Sequence, residues 1–264
     1  MSEPGRRVAA IIEYDGTDYA GWQSQAHSTS IQDAVQAALS FVAGHPVVAI
    51  CAGRTDAGVH AIGQVIHFDT HAERTPRAWV LGANTRLSSS IALQWAGEVG
   101  TAFHARHKAS RRIYRYVILN RSARSALQRA RTAWIHRPLD APAMHTAAQA
   151  LIGEHDFSAF RSIECQSKTP VRRIDAIEVT RTGDLVSLQI TANAYLHHMV
   201  RNIVGTLLDV QLETDPKAAM AQVLASADRR HAGATAPAEG LYLWRVEYPK
   251  DFAIPAPTGQ IGLN

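Results

Sequence analysis

Cysteine is scarce in this chain of 264 residues, which has only Cys51 and Cys165. Two cysteines so far apart form neither a C-x-x-C pair nor a metal framework, so reduced thiols are expected. Long apolar runs are missing as well, since no stretch approaches the roughly 20 residues that a membrane-spanning helix requires. Residues 1–7 contain no apolar segment of the kind found in secretory signals. These absences predict a cytoplasmic protein that has no membrane partner.

Acidic residues are absent from one long window, because neither Asp nor Glu occurs in residues 99–139. The whole chain has 27 Lys and Arg against 23 Asp and Glu, a net charge of +4 with a pI near 9.3, so the asymmetry is local. Arg binds phosphates as a planar fork and aromatic rings stack on bases, so this basic stretch predicts contact with nucleic acid rather than a solvated surface. Its basic residues are Arg106, Lys108, Arg111, Arg112, Arg115, Arg121, Arg124, Arg129, Arg131 and Arg137, and its aromatic residues are Phe103, Tyr114, Tyr116 and Trp134.

Apolar periodicity predicts the order strand, helix, strand, strand, helix, strand in the first half of the chain. Ser30 followed by Asp33 resembles a capping box, and Gly44 is suited to end the helix that begins there. Thr75 and Pro76 open the second helix, with Pro at the first helical position. The predicted strands are residues 8–14, 47–52, 62–69 and 91–99.

The second half has a similar pattern, with strands at 110–120, 174–180, 185–193 and 241–248 and helices at 140–152 and 195–212, the last being the longest. Strands this close in sequence leave no room for crossover helices, which favours antiparallel pairing. The predicted fold is α+β, with two ferredoxin-like (split βαβ) halves. The expected domains are 1–105, which carries the Asp56 loop; 106–249, which carries Tyr114, Arg201 and Leu241; and a frayed tail at 250–264.

One acid stands among small residues in the loop 51–60, between two predicted strands. Gly53 and Gly58 permit sharp turns and close approach by a partner, and Arg54 places a permanent cation near Asp56. Such an acid is suited to catalysis on a bulky substrate, and His60 would complete an acid/base pair if the turn were helical. The alternative is that Asp56 caps a turn, as most loop aspartates do. The residues alone leave both interpretations open.

Histidine is abundant, with 13 residues, but its grouping does not indicate a metal site. The pairs His104/His107 and His197/His198 lack a third ligand at metal-binding spacing, and the second pair is expected on different faces of the predicted helix. The glycines around residue 20 match no phosphate-binding loop, so Trp22 and the glutamines beside it are expected to pack or to face RNA.

Several separated strings together resemble the tRNA pseudouridine synthase A family. They follow the family's order from about residue 8 to residue 249, and such colinearity is more specific than any one motif. The strings are Tyr14-Asp15-Gly16-Thr17, Gly21-Trp22-Gln23-Ser24-Gln25, Gly53-Arg54-Thr55-Asp56-Ala57-Gly58-Val59-His60-Ala61, Phe103-His104-Ala105-Arg106, Tyr114-Arg115-Tyr116, His155-Asp156-Phe157-Ser158-Ala159-Phe160, His198-Met199-Val200-Arg201-Asn202-Ile203-Val204-Gly205 and Ala232-Gly233-Ala234-Thr235-Ala236-Pro237-Ala238-Glu239-Gly240-Leu241-Tyr242-Leu243.

The resemblance implies an enzyme that isomerises uridine to pseudouridine at positions 38–40 of the tRNA anticodon arm. It also implies two halves that meet around a central RNA-binding cleft, a homodimer, and neither a metal nor an organic cofactor. The lack of a cofactor fits the reaction, which breaks the bond from ribose C1′ to N1 and remakes it to C5 without redox change.

The resemblance further implies roles for single residues. Asp56 matches the nucleophile, which attacks C1′, assists formation of a glycal or adds to the base, and the sequence does not choose among these. Arg201 lies beside an apolar stripe, and its sequence context alone predicts a cation at the surface. In the resemblance it matches an Arg that pairs with the catalytic carboxylate of Asp56. Tyr114 matches a tyrosine that stacks on the target base and takes the C5 proton, and Leu241 matches a wall of the uracil pocket.

The target base must be flipped out of its stem to reach such a pocket. Arg54 matches the residue that fills the vacated space, and Arg106 matches one that holds nearby RNA backbone. Phe103 and His104 belong to the same string and are assigned to the RNA-binding set. His107 follows this string at a position where many members of the family carry an aromatic residue. Further candidates for RNA contact are Lys168, Arg172 and Arg173.

Two other functions compete with the isomerase. A non-catalytic RNA-binding module of ferredoxin-like fold would use the same basic stretch, but it would not need a carboxylate such as Asp56 near the negatively charged RNA. An RNA glycosidase or nuclease would use Asp56 with His60 and would leave abasic sites or strand breaks.

Overall fold

The computed structural model describes residues 5–259, which divide into two compact units. Unit 1 consists of residues 5–110 and 242–259, and unit 2 consists of residues 111–241. Each unit contains both helices and strands, so the fold is α+β. The division differs from the expected boundaries 1–105, 106–249 and 250–264 mainly because the last strand and the residues after it belong to unit 1.

The strands and helices follow one another along both units. The strands are β1 (Arg6–Tyr14), β2 (Ile50–Cys51), β3 (His60–Thr70), β4 (Ile91–Val99), β5 (Arg111–Asn120), β6 (Ala133–Ile135), β7 (Gly153–Asp156), β8 (Val171–Thr182), β9 (Leu185–Ala192) and β10 (Leu241–Glu247). The helices are α1 (Ile31–Ala43), α2 (Pro76–Asn84), α3 (Ala141–Ala148), α4 (Met199–Val210) and α5 (Pro216–Ser226). None of the helices among residues 5–259 has the length and apolar character that a membrane crossing requires.

Unit 1 is built on the strand order β4-β1-β3, with β2 also antiparallel to β3 and β10 parallel to it. Because β1 and β3 are antiparallel, the end of β1 at Tyr14 lies opposite Ala61, near the start of β3. The loop that follows β1 and the loop that precedes β3 therefore meet at one edge of the sheet. This edge carries Asp56.

Unit 2 is built on the antiparallel order β5-β9-β8-β7, and β6 adds to β5 in parallel. Tyr114 pairs with Ile190 in the centre of this sheet, and both Tyr114 and Tyr116 are buried. Helix α3 packs on β8 and against α4 and α5. The strands predicted at 110–120 and 185–193 are confirmed as β5 and β9.

Local capping groups account for the helix boundaries that the sequence predicted. The Asp33 N–H donates to Ser30 Oγ at 3.1 Å, and Gly44 ends α1 with a left-handed φ of +77°. Thr75 caps α2 and Asp140 caps α3, each through its side-chain oxygen. A polar side chain at these positions satisfies a backbone donor that the helix leaves free.

Two predicted elements are wrong in extent. The helix expected at 195–212 begins only at Met199, because His198 has a left-handed φ of +62° and the Tyr195 hydroxyl donates to backbone carbonyls of the sheet. With 12 residues, α4 is shorter than α1, which has 13. The strand expected at 47–52 is paired only at Ile50–Cys51.

The predicted fraying of the tail is wrong for residues 250–259. Phe252 packs edge-on against Phe103 with ring centroids 5.2 Å apart, and the Thr258 N–H donates to Gln94 Oε1 at 3.0 Å. These contacts hold the segment against unit 1. Residues 1–4 and 260–264, which belong to the predicted N-terminal segment and tail, lie outside the described residues.

Candidate active site

Asp56 lies in the turn that enters β3, and its side chain is half-buried. The Val59 N–H donates to the Asp56 carbonyl at 3.1 Å, and Gly58 takes a left-handed φ of +74°. The glycine is required there because residues with a Cβ rarely adopt this backbone conformation. The turn leaves the carboxylate within reach of solvent.

The loop after β1 packs backbone to backbone against the Asp56 loop. The Trp22 N–H donates to the Thr55 carbonyl at 2.9 Å. A Cβ on Gly21 would stand 2.6 Å from the Thr55 carbonyl oxygen, and one on Gly16 would stand 2.1 Å from that of Val59. Both glycines are therefore needed for close approach. Trp22 is buried, which supports packing for this residue, whereas Ser24 and Gln25 of the same string are exposed.

Two buried side chains clamp the Asp56 loop from the adjoining strands. Tyr14 of β1 is hydrogen-bonded through its hydroxyl to Thr55 Oγ1 at 2.8 Å. Gln64 of β3 donates from Nε2 to the Gly53 carbonyl at 2.7 Å and to the Tyr14 hydroxyl at 3.3 Å. The loop is thus fixed on both sides of Arg54, and Asp56 follows directly after the second anchor. We call these four residues (Tyr14, Gly53, Thr55 and Gln64) the clamp.

His60 is held by groups of its own unit. Its ring is buried, and Nδ1 accepts the Gly16 N–H at 3.0 Å and lies 3.2 Å from Asp15 Oδ1. The ring also stacks on Tyr242 with centroids 4.7 Å apart. These contacts give His60 a structural role in the loop, which weakens the hypothesis that it serves as a catalytic base with Asp56.

The string from Phe103 to Arg106 divides into buried and exposed residues. Phe103 has no exposed surface, since the rings of Tyr248 and Phe252 cover it, so its assignment to RNA contact is wrong. His104 is half-buried, and its Nδ1 accepts the Arg106 N–H at 3.2 Å, which shapes the turn. Burial and neighbouring cations lower the pKa of His104. The Arg106 side chain is exposed, as is that of Arg54.

Tyr114 of unit 2 is buried and packs edge-on against Tyr195, with ring centroids 4.9 Å apart. The Tyr195 hydroxyl donates to the carbonyls of Arg112 and Ile190 at 3.1 and 3.0 Å, so the ring that supports Tyr114 is itself fixed. Burial raises the pKa of the Tyr195 hydroxyl well above its ordinary value. Arg115 alternates to the other face of the strand, where it donates to Gln189 at 2.9 Å.

Arg201 projects from the first turn of α4 and is anchored to a segment of the last long motif. Its Nε donates to the Ala236 carbonyl at 2.7 Å, and the Ala236 N–H donates to the Arg201 carbonyl at 3.1 Å. A Cβ on Gly205 would stand 1.7 Å from the Ala234 carbonyl oxygen, so this glycine lets the segment lie directly on the helix. Arg201 is half-buried and oriented, unlike a side chain that merely snorkels to the surface.

The same segment leads to Leu241, which is buried. The Tyr116 hydroxyl donates to the Pro237 carbonyl at 2.8 Å, and burial together with the charge of Glu239 raises its pKa. A Cβ on Gly240 would stand 2.8 Å from the Tyr116 ring. The residues just before Leu241 are therefore fixed against β5.

The candidates for RNA contact in the loop after residue 160 behave differently from one another. Lys168 is exposed, and Arg173 is exposed and paired with Asp175 at 2.8 Å. Arg172 is buried, and its guanidinium donates to the Thr169 carbonyl at 3.0 Å and to Ser167 Oγ at 2.6 Å. An arginine that satisfies the carbonyls of its own loop is structural, so the assignment of Arg172 to RNA is wrong.

Cys165 of the same loop has a perturbed thiol. Burial opposes ionisation, but the backbone N–H groups of His197 and Ser167 and the guanidinium of Arg161 together lower its pKa. His197 and His198 precede α4 rather than lying on different faces of a helix, and their ring centroids are 4.0 Å apart. The expectation of separate faces is wrong because the helix begins later than predicted.

The sequence offered Asp56 and Arg201 as candidate catalytic residues, but it did not predict the clamp. Gln64 belonged only to a predicted strand, and Tyr14 belonged to a strand and to a family string that gave it no partner. No local pattern marks a hydrogen bond across 50 residues. The available signal was Gln64 within the run Ala61-Ile62-Gly63-Gln64-Val65-Ile66, since a polar side chain among apolar neighbours needs buried partners.

The comparisons with known proteins agree with these motifs. The sequence profile of the family described as tRNA pseudouridine synthase matches residues 10–108 and 147–249. A tRNA pseudouridine synthase A of Shewanella sp. (strain MR-7) is 53% identical over 249 residues, which cover 94% of this chain and 95% of that protein. One of Shewanella baltica (strain OS223) is 52% identical with the same coverage. The chain belongs to the tRNA pseudouridine synthase family.

Proposed function

We propose that this chain isomerises uridine to pseudouridine in tRNA, at positions 38–40 of the anticodon arm. The observation that carries the proposal is a half-exposed carboxylate, Asp56, on a loop that buried side chains clamp from two strands. Fixed geometry of this kind is what catalysis requires of a reacting group. The bond from C1′ to N1 breaks and the bond from C1′ to C5 forms, so no outside reactant is consumed.

Asp56 acts as the nucleophile in this proposal. It attacks C1′, assists formation of a glycal or adds to the base, and the three routes share the need for an ionised and accessible carboxylate. A covalent or ion-pair intermediate divides the difficult glycosidic step into two easier steps. Neither metal nor organic cofactor is proposed, because the reaction is an internal rearrangement.

Three residues of unit 2 are proposed to serve the same uridine. Arg201 favours the ionised form of the carboxylate, because an adjacent cation stabilises a negative charge. Its bond to the Ala236 carbonyl supports a single orientation of the guanidinium. Tyr114 stacks on the base and takes the C5 proton, and Leu241 walls the uracil pocket.

The RNA is proposed to be held by exposed cations and to have its target base flipped out. Arg54 fills the vacated space, and Arg106 holds the neighbouring backbone. His104 shapes the turn that presents Arg106, and Lys168 and Arg173 add contacts. A homodimer and a cytoplasmic location complete the proposal.

We also propose that unit 1 is ferredoxin-like. Its element order, strand-helix-strand-strand-helix-strand, and its strand order β4-β1-β3-β2 with antiparallel neighbours support this assignment. Unit 2 is proposed to be a related half.

The test is release of tritium from tRNA labelled with [5-³H]uridine. Asp56→Ala is expected to abolish turnover and to leave tRNA binding largely intact, because the carboxylate does not attract RNA. Asp18→Asn is the matched control, since Asp18 is an exposed acid in the neighbouring loop, and it should keep the activity of the parent enzyme. Unchanged release from the Asp56 variant would remove this residue from the mechanism.

The competing functions give different products in the same assay. A non-catalytic RNA-binding module would release no tritium from any variant. A glycosidase or nuclease would produce abasic sites or strand breaks, whereas the isomerase leaves an intact RNA of unchanged mass.

A further inference from the structure

Residues 121–132, between β5 and β6, form a loop that internal hydrogen bonds order, and we call it the arginine loop. The Trp134 indole N–H donates to the Arg121 carbonyl at 2.9 Å, which ties the start of β6 to the start of the loop. The Gln128 carbonyl accepts the backbone N–H groups of Arg131 and Thr132 at 3.0 and 3.1 Å. The loop thus has internal order, and its side chains are presented from a fixed backbone.

The arginine loop is strongly cationic at its surface. Arg121, Arg124, Arg129 and Arg131 are all exposed, and no acid occurs within the loop. Arg121 has a distant ion pair with Asp184 at 3.9 Å. Within residues 5–259, the guanidinium groups of Arg124 and Arg129 make no hydrogen bond or ion pair with protein. Two such cations on an ordered loop are suited to an external polyanion.

The arginine loop is also remote from Tyr114 along the same strand. Asn120 lies six positions beyond Tyr114 on β5, and a strand rises about 3.3 Å per residue, which gives roughly 20 Å. One nucleotide cannot span this distance. A phosphate bound at the loop therefore belongs to a part of the RNA other than the uridine that Tyr114 is proposed to contact.

We propose that the arginine loop binds the sugar–phosphate backbone of the tRNA outside the arm that carries the target uridine. The proposal rests on tRNA being the substrate, and it adds a second, sequence-independent contact to the proposed site. Arg recognises phosphate by a bidentate fork, and such contacts position an RNA without reading its bases. Ordering of the loop before binding reduces the entropy lost on association.

The test compares two pairs of neutral substitutions with equal loss of charge. Arg124→Gln with Arg129→Gln removes the two unpaired cations of the arginine loop. Arg77→Gln with Lys217→Gln removes two exposed cations outside the loop that, within residues 5–259, likewise make no hydrogen bond or ion pair with protein, and it is the matched control. All variants also carry Asp56→Ala, so that equilibrium binding is measured without turnover. The probes are full-length tRNA and a hairpin with the anticodon arm alone, each titrated at several salt concentrations.

The double variant Arg124→Gln with Arg129→Gln is expected to bind full-length tRNA about tenfold more weakly at low salt. Its slope of log K against log salt should be smaller by about 1 for each arginine removed. Binding of the hairpin should change by less than about twofold, and the control pair should keep the parent slope with both RNAs.

Two results would overturn the proposal. An equal loss of affinity for full-length tRNA and for the hairpin would mean that the loop contacts the target arm. Equal affinities of the loop variant and the control variant would mean that the loop contributes only general charge. Failure of the parent enzyme to bind tRNA would instead contradict the proposed substrate. The outcomes for the loop and for the function are therefore separable.

Discussion

The clamp on the Asp56 loop predicts that Tyr14→Phe slows the reaction more than it weakens tRNA binding. The substitution removes one oxygen and keeps the ring, which packs 6.2 Å from that of Trp22. It leaves Thr55 Oγ1 without its 2.8 Å partner in a buried site and removes one of the two acceptors of Gln64 Nε2. The Gly53 anchor and the Trp22–Thr55 backbone bond remain. The loop is therefore loosened beside Asp56 without being released.

The size of the effect follows from the burial of the groups that lose a partner. A neutral hydrogen bond contributes about 1 kcal/mol net, and a buried hydroxyl left unsatisfied costs about 1–3 kcal/mol. We expect a loss of about 1–2 kcal/mol, partly offset because Thr55 Oγ1 can turn toward other acceptors. If this free energy is lost from the orientation of Asp56 in the transition state, the activation barrier rises by the same amount. The value of kcat then falls about 5- to 30-fold, since about 1.36 kcal/mol corresponds to a tenfold change in rate.

The assay is tritium release, analysed for kcat and KM, together with the free energy of unfolding in urea. Tyr19→Phe is the matched control, because its hydroxyl bonds Ser88 Oγ and Ser90 Oγ at 2.8 and 3.1 Å in the same unit and does not touch the clamp. Thr55→Ser keeps the hydroxyl and should retain activity, whereas Thr55→Val should resemble Tyr14→Phe. The double variant of Tyr14→Phe and Thr55→Val should be little worse than either single variant. A kcat of Tyr14→Phe equal to that of the parent would refute the reasoning, and so would additive effects in the double variant.

Three further predictions concern separate parts of the molecule. Gly21→Ala places a Cβ 2.6 Å from the Thr55 carbonyl oxygen at a φ of +93°, so it should lose activity and stability together, and normal melting and turnover would contradict the assigned close approach. Arg201→Lys keeps the charge but loses the bond from Nε to the Ala236 carbonyl, so we expect kcat to fall about 10- to 100-fold; parent rates would mean that only charge matters. His67 has its pKa lowered from 6.5 to about 4 by burial and by the nearby His104 and Arg7, so its neutral form is favoured in the folded state. The contribution of neutral His67 to the free energy of unfolding is therefore fully present above pH 6.5. It is lost as the pH drops toward 4, because the unfolded state binds the proton more readily than the folded state. Urea unfolding at several pH values should show a weaker dependence in His67→Leu, and identical dependence in the two proteins would rule out this residue as a source.

The sequence predicted those elements whose causes are local. Helix α1 begins after Ser30 and ends at Gly44 because a side-chain cap and a left-handed glycine act within one turn of the helix. Strand β9 follows from apolar residues that alternate with polar ones, and β1 follows from a short continuous apolar run. In each case the deciding interaction lies within a few residues of the boundary.

The elements that were missed depend on distant partners. β6 has three residues and exists because it pairs with β5. The true start of α4 depends on Tyr195, whose hydroxyl reaches the carbonyl of Arg112, 83 residues away. Helix α5 is an exception, since Asp215 before Pro216 was a readable start signal, but only Met220 is buried on it and its apolar stripe is weak.

The same distinction applies to the candidate residues for RNA contact. Phe103 and Arg172 are residue types that often bind RNA, yet Phe252 packs against the first, and the second donates to the Thr169 carbonyl of its own loop. Residue type does not distinguish a cation that faces solvent from one that holds a loop together. Packing decides this, and packing is set by chain segments that are far apart in sequence.

The glycines near Asp56 show how two separate motifs form one structural unit. Gly16 and Gly21 lie directly against the carbonyl oxygens of Val59 and Thr55, and Gly21 is required in addition by its own φ of +93°. A Cβ at either position would push the Asp56 loop away from the edge of the sheet where Tyr14 fixes it. The segment that begins at Tyr14 therefore packs against the Asp56 loop and fixes its position. Substitutions in this segment should alter kcat although none of its residues needs to contact RNA.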